Sequence, residues 1–196
     1  MVDTTAAAIA VAVDRQGILL VHDRTLPSVT ALVAGAPVPG SWWSHPMANT
    51  IYNALGAIDD EVAIVKLVNG KQTLVARRLW PDLVAVGAAR DPWQTKGLDD
   101  ETLALLADIE ATDGPRTVDK QRRRGAEMLE RRLLVYVTDI HTERGHLVKG
   151  YEGWRHWASG RHVTPATDSG RARQTFDDIV AALASQGGAA LARLPW

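Results

Sequence analysis

The chain has 196 residues, 46% of them hydrophobic, and a formal net charge of −1 at pH 7. This length allows one large domain or two small ones, and this composition excludes global disorder. The absence of cysteine excludes disulfides, thiol nucleophiles and cysteine-ligated zinc. The apolar N-terminal stretch is too short to span a bilayer and carries an acid where a signal peptide carries bases. We therefore predict a cytoplasmic protein without a membrane partner.

The first half of the chain predicts helices followed by a hairpin. Thr5–Val13 is alanine-rich and indicates a helix, although its Ile-Ala-Val-Ala-Val run could also begin a strand. Asn69-Gly70 joins two extended runs and is the preferred pair for a type I′ turn. The pattern predicts a short buried element at Ile18–His22 and helices at Leu26–Val33 and Met47–Ile58. The two extended runs are Val62–Val68 and Lys71–Arg77.

The second half begins after a predicted helix over Arg78–Ala89 and a predicted linker, Arg90–Gly97, which we take as the domain boundary. A tight reversal is expected at Glu143-Arg144-Gly145, and the closing Leu194-Pro195-Trp196 is expected to dock against the protein. The remaining predicted helices are Glu101–Thr112, a short polar helix over Val118–Arg124, and Ala126–Leu133. Two predicted strands follow at Leu134–Ile140 and His146–Tyr151, and a final helix at Ser169–Ser185.

The order of these elements predicts an α+β fold of two tandem winged-helix-like units with a C-terminal helix. The predicted units are residues 1–90, with the Asn69-Gly70 hairpin, and residues 98–157, and residues 158–196 form a helical extension. The segment from Thr117 to Leu133 contains only 17 positions, which is short for two average helices and a turn. Either the middle helix is a single turn, or Val118–Leu133 is one bent helix.

Basic residues are concentrated in the second half. The segment Arg116–Lys149 has nine Lys or Arg residues against five Asp or Glu, and such a patch can hold a phosphate backbone. The alternative is a solvated helix face balanced by neighbouring acids. We predict nucleic-acid contacts from the helical segment, and wing contacts from the hairpin: Lys120, Arg122, Arg123, Arg124, Arg131 and Arg132, then Arg144, His146 and Lys149.

A second candidate site is the run Ser-Trp-Trp-Ser-His-Pro around Trp42, Trp43 and His45. Paired tryptophans beside a histidine could line a pocket that stacks a flipped base. Alternatively, one tryptophan plugs the core while Ser44 or His45 caps the next helix. The histidines at positions 141, 146 and 156 match no zinc-ligand spacing, so we predict no metal site and no cofactor.

Several stretches together resemble one family. They are LPSVTALVAG, VPGSWWSHP, VKLVNGKQTLVARRLWP, ERRLLVYVTDIHTERG and GYEGWRHW, and they resemble uncharacterised bacterial proteins related to the AlkZ-type winged-helix DNA glycosylases. The resemblance implies tandem winged helices around a basic channel for duplex DNA, and hydrolysis of the N-glycosidic bond of an alkylated or cross-linked base. Those glycosylases position water with a Gln-x-Gln or Gln-x-Asp motif. None of the six glutamines here has Gln or Asp two residues later, so no catalytic residue is carried over.

The sequence therefore predicts a winged-helix protein that binds nucleic acid, most simply duplex DNA, with a link to DNA repair but without catalysis. No triad, metal or phosphate-loop signature is present. Two alternatives stay open: a glycosylase-type enzyme with a pocket near Trp42, Trp43 and His45, and a protein–protein module that can form a homodimer.

Overall fold

The computed structural model describes residues 4–141, 147–187 and 192–196. Over these residues the α+β prediction is confirmed, because helices combine with two three-stranded antiparallel sheets. The chain forms two compact units. The first comprises the described parts of Met1–Trp80 and Gln174–Leu194, and the second those of Pro81–Arg173 and Pro195–Trp196. No helix within the described residues is long and apolar enough to cross a membrane.

The first unit is a small sheet with helices before and between its strands. Its elements are α1 (Thr4–Gln16), β1 (Ile18–Leu20), α2 (Val29–Ala34), α3 (Ala48–Ala57), β2 (Val62–Lys66) and β3 (Gln72–Ala76). The later part of α9 (Ser169–Gly187) also belongs to this unit. The middle strand of the sheet is β3, since the strand order is β1-β3-β2, and Leu74 of β3 faces Leu19 and Ile64 in the register.

Local signals in the sequence explain where these elements begin and end. Ser28 caps α2, because its hydroxyl accepts a hydrogen bond from the Ala31 N–H at 3.3 Å, and Gly35 ends the helix with φ of 75°. Asn69 and Gly70 both have positive φ, 55° and 66°, as the hairpin prediction requires. These predicted boundaries are confirmed to within a few residues.

The core of the first unit is built from one side of each helix and from the sheet. Ile9 and Val13 of α1, Ile51 of α3 and Leu74 of β3 are buried in one apolar cluster. The predicted inward face of the C-terminal helix is confirmed at Phe176, Val180 and Leu183, which are buried. Burial of this apolar surface is the main favourable term in the stability of the unit.

A buried carboxylate anchors the loop before α2. Asp23 accepts hydrogen bonds from the N–H groups of Thr25 and Leu26 at 2.8 and 2.9 Å and pairs with the Lys71 ammonium at 2.7 Å. Burial alone raises the pKa of Asp23, but the hydrogen bonds from Leu26, Lys71 and Thr25 outweigh it and hold the pKa well below its usual range. The charged form is therefore the one that the fold stabilises.

Asp23→Asn is expected to destabilise the protein at neutral pH by about 1–3 kcal/mol, because a charge-assisted network is weakened. The folded-state pKa is depressed, so the contribution of Asp23 is fully present above its unfolded pKa of about 3.9 and is lost progressively as the pH falls from there toward the folded-state pKa. Urea midpoints measured near pH 7 and near pH 3 test this. The difference in urea midpoint between wild type and Asp23→Asn should be smaller near pH 3 than near pH 7. Asp14→Asn, at an exposed position, should change the midpoint little at either pH.

The second unit also contains a three-stranded sheet, with strand order β4-β6-β5. Tyr151 of β6 pairs with Arg116 on one side and with Val137 on the other. Its elements are α4 (Trp80–Ala88, from Pro81 onward), α5 (Pro92–Thr95), α6 (Asp100–Glu110), β4 (Arg116–Thr117), α7 (Arg123–Arg131), β5 (Tyr136–His141), β6 (Leu147–Glu152) and α8 (Trp154–Gly160). Its core joins residues from α6, α7 and the sheet, and α8 buries Trp154 and Trp157.

The short helix predicted over Val118–Arg124 is wrong. Thr117 belongs to strand β4, where it pairs with Gly150, and the chain then turns before α7. Asp119 shapes this turn, since its carboxylate accepts the Arg122 N–H at 2.9 Å. Gly125 does not break the helix but lies inside α7, where a Cβ would be 3.1 Å from the Thr102 hydroxyl of α6. The predicted reversal at Glu143-Arg144-Gly145 lies outside the described residues.

The segment predicted as a linker, Arg90–Gly97, is packed into the second unit. It contains α5, which begins with a capping box between Asp91 and Gln94. The Gln94 side chain is fully buried. The predicted docking of the closing segment is confirmed at Trp196, whose ring lies 5.6 Å from that of Trp93.

Candidate nucleic-acid interface

The predicted basic residues come from three places in the second unit. Lys120 and Arg122 lie in the turn before α7, Arg123, Arg124 and Arg131 on α7 itself, Arg132 just after it, and Lys149 on β6. Arg144 and His146 lie outside the described residues. The structure brings the described residues together around one helix, but it does not give them the same role.

Arg122 is held by two acids. Its Nη1 donates to the Asp108 carboxylate at 2.8 Å, and its Nε donates to the Asp119 carboxylate at 3.3 Å. The hydrogen bond to Asp108, and then that to Asp119, raises the pKa of Arg122. Its charge is therefore offset locally, which weakens the case for a phosphate contact at this position.

Arg132 and Lys149 have structural partners. Arg132 Nη1 donates to the backbone carbonyls of Gln94 at 3.0 Å and Lys96 at 2.7 Å. Lys149 Nζ lies 2.9 Å from the carboxylate of the largely buried Glu130. Burial lowers the pKa of Lys149, but Glu130 raises it by more, and the net shift is upward. Both cations stabilise the fold of this unit.

Four predicted cations differ from Arg122, Arg132 and Lys149. They are Lys120, Arg123, Arg124 and Arg131. All four are exposed, and no ion pair or hydrogen bond of their side chains is found within the described residues. Helix α7 directs Ala126, Leu129 and Glu130 inward, which leaves its arginines on the outer face. Glu127 is four residues from both Arg123 and Arg131, so it offsets part of their charge. We call these four residues the basic face.

A cleft of about 320 Å³ adjoins the basic face where α6 begins beside α7. Leu105 and Met128 supply its apolar part, and its charged lining comes from both signs, Asp99 and Glu101 with Arg122 and Arg124. Asp99 caps α6 by accepting the Thr102 N–H at 2.8 Å. Hydrogen bonds from Thr102, with a smaller effect of Arg124, lower the pKa of Asp99. The mixed charge makes this cleft a poor site for an anion alone.

The two tryptophans of the second candidate site differ in burial. Trp42 is buried in the core of the first unit, whereas Trp43 is 60% exposed and stacks on Trp42 with ring centroids 4.0 Å apart. His45 Nδ1 accepts a hydrogen bond from the Met47 N–H at 3.2 Å, directly before α3. The alternative in which one tryptophan plugs the core fits these contacts, but the predicted helix cap from Ser44 or His45 is wrong, because α3 follows Met47 without a side-chain cap. The predicted base pocket stays a prediction.

The histidine contacts are structural as well. His156 Nε2 lies 3.1 Å from the Glu110 carbonyl, and His156 Nδ1 lies 3.2 Å from the Asp113 carboxylate. Within the described part of the chain, no group of three or more potential ligands is arranged to hold a metal ion.

Sequence reasoning missed two features of these surfaces. One is Asp108, which pairs with Arg122 across 14 residues because α6 packs on α7, and no local spacing indicates such a pair. The other is Tyr52, an exposed residue of α3 whose ring lies 5.8 Å from that of Trp43. Tyr52 directly follows the buried Ile51, and consecutive residues of a helix face different sides. The helical pattern of the sequence could therefore have predicted that Tyr52 is exposed.

Comparisons of the chain with protein-family models, with curated proteins and with solved structures gave no match. The resemblance to the AlkZ-type glycosylases therefore remains an expectation from the sequence. A function has to be argued from the surfaces of the molecule alone.

Proposed function

We propose that this protein binds nucleic acid, in particular duplex DNA, through the basic face and without catalysing a reaction. The observation that carries the proposal is the exposure of four cations in and beside α7 whose side chains make no ion pair or hydrogen bond within the described residues. Lysine and arginine side chains of this kind neutralise phosphates and release counterions, which supplies affinity independent of sequence. Arg144 and His146, which lie between β5 and β6 in the sequence and outside the described residues, belong to the same proposal.

The order of the elements supports a winged-helix relationship. In the first unit, a helix and a strand precede two helices and a hairpin, and β1 pairs with the second strand of that hairpin. The second unit has the same strand order but only α7 between β4 and β5. We infer two winged-helix-like units, of which the second has lost one helix of the helix-turn-helix. Its DNA contacts are therefore expected at the backbone rather than at base edges.

Two further parts of the proposal rest on the sequence. A cytoplasmic location follows from the composition, and a link to DNA repair follows from the resemblance. Neither part requires an activity on the DNA, since folds of this kind host many functions.

Binding of a fluorescently labelled duplex of about 20 base pairs, followed by anisotropy, tests the proposal. Replacing all four residues of the basic face with glutamine should weaken binding by about 100-fold or more at low salt, because four phosphate contacts are lost. The matched control replaces four exposed cations elsewhere and changes the net charge equally: Arg15, Arg24, Lys96 and Arg155. This control should retain nearly all affinity.

Two results would overturn the proposal. Wild-type protein that does not bind the duplex removes it outright. Equal losses in the two quadruple variants would show that net charge alone governs the interaction. Circular dichroism of both variants establishes that they are folded.

A further inference from the structure

The first unit carries a surface of different chemistry, made by Trp43 and Tyr52. These side chains are 60% and 43% exposed, and their ring planes meet at 47° with centroids 5.8 Å apart. Together they form an open aromatic corner on the protein surface. Large aromatic side chains left in contact with water in this way commonly mark a binding site.

The aromatic corner is held in place by the chain around it. Trp43 lies in a 3₁₀ turn, Trp42–Ser44, that is closed by hydrogen bonds from Ser44 N–H to the Ser41 carbonyl and from His45 N–H to the Trp42 carbonyl. The buried Trp42 supports one face of the Trp43 ring, and Tyr52 projects from α3. Since these rings are already ordered, a partner would lose less conformational entropy on binding them.

The charges near the corner are acidic. The stretch from Thr25 to Val65 contains no lysine or arginine, and Asp59, Asp60 and Glu61 are exposed at the end of α3. Helix α3 ends at Ala57, and a tight turn carries the acids, because the Ile58 and Glu61 N–H groups donate to the carbonyls of Leu55 and Ile58. Arg77 reaches the turn, but its guanidinium donates to the Asp60 carbonyl rather than to a carboxylate.

Helix α3 leads from the aromatic corner to the acids. Tyr52 and Gly56 are four residues apart on α3 and are therefore neighbours along one side of it, and Asp59, Asp60 and Glu61 follow its end at Ala57. Gly56 and Ala57 are exposed and carry little or no side chain, so they place no bulky group at this end of the helix. Rings and carboxylates suit an extended chain with cations along it, whereas the stretch from Thr25 to Val65 has no lysine or arginine to hold a phosphate backbone.

We propose that the aromatic corner and the acids Asp59, Asp60 and Glu61 bind an arginine- or lysine-rich segment of a partner protein. One cationic side chain lies against Trp43 and Tyr52 by a cation–π interaction. Its neighbours pair with the carboxylates, which steer the encounter and fix the register. This surface belongs to the first unit and the DNA proposal to the second, so either can fail without the other.

A labelled, end-capped hexa-arginine peptide serves as the probe, with binding to the full chain followed by anisotropy. Trp43→Ala should weaken binding about fivefold, as expected for the loss of one cation–π contact. Trp43→Phe should lose less because a ring remains. The triple variant Asp59→Asn, Asp60→Asn, Glu61→Gln should weaken binding and flatten its salt dependence. Leu103→Ala, an exposed apolar residue of α6, is the matched control and should bind as wild type does.

The proposal fails if the peptide does not bind, or if Trp43→Ala binds it as tightly as wild type. It also fails if a thymidine oligonucleotide binds the wild type and loses affinity in Trp43→Ala, because the corner would then stack bases. The quadruple basic-face variant should still bind the peptide, which separates this result from the outcome for duplex DNA.

Discussion

Gly87→Ala is expected to destabilise the second unit by about 3 kcal/mol, from overpacking and from a disturbed buried hydrogen bond. A Cβ on Gly87 would overlap the Trp154 indole, with the ring Cδ1 only 2.7 Å away. The indole cannot move aside freely, because its N–H donates to the Leu133 carbonyl at 2.6 Å and its ring packs edge-on against Trp157. Glycine is therefore required here by close approach of a ring to α4.

Urea unfolding monitored by circular dichroism measures this effect. Gly56→Ala is the control, since it changes glycine to alanine within a helix where no atom lies within 4 Å of the new Cβ. That substitution should be neutral or stabilising by up to about 1 kcal/mol through helix propensity. Equal midpoints for the two variants would contradict the packing of Trp154 against Gly87.

Gln94→Leu is expected to destabilise the second unit by about 2–4 kcal/mol, because three backbone groups lose a buried partner. The Gln94 amide accepts from the Asp91 N–H at 2.9 Å and donates to the carbonyls of Gly87 and Arg132 at 3.1 and 3.2 Å. Leucine fills similar space but satisfies none of these groups. The segment that contains α5 should loosen first.

Hydrogen exchange of the amides in residues 90–97, together with the urea midpoint, tests this prediction. The control is Gln174→Ala at an exposed helical position, whose amide donates to the exposed Asp178, and its effect should stay within about 0.5 kcal/mol. Unchanged exchange in Gln94→Leu would mean that this amide does not hold the segment in place.

Parts of the fold with a local cause could be predicted from the sequence. The Asn69-Gly70 turn and the end of α2 at Gly35 depend on backbone angles that few residues adopt. The segment Val118–Arg124 could not be predicted in this way. The residue before this segment, Thr117, pairs with Gly150 in the sheet, and these two residues are more than thirty positions apart in the sequence. The prediction of a linker over Arg90–Gly97 fails for the same reason, because the Gln94 side chain donates a hydrogen bond to the carbonyl of the distant Arg132.

The candidate interface shows the same division between local and distant causes. Counting charges identifies a basic segment in the sequence, but it cannot separate Arg122 from Arg123. The difference lies in Asp108, on another helix, which pairs with the first and not the second. Likewise, the local sequence could not indicate that the core buries Trp42 and leaves Trp43 exposed.

The salt dependence of duplex binding tests the central claim most directly. If all four cations of the basic face contact phosphates, they should contribute about −3.6 to the slope of the logarithm of the binding constant against the logarithm of salt concentration. The quadruple glutamine variant should lose this contribution and keep only the shallower slope of the remaining contacts, and the matched control should keep the wild-type slope. A wild-type affinity that is absent, or that does not change with salt, would contradict nucleic-acid binding through α7.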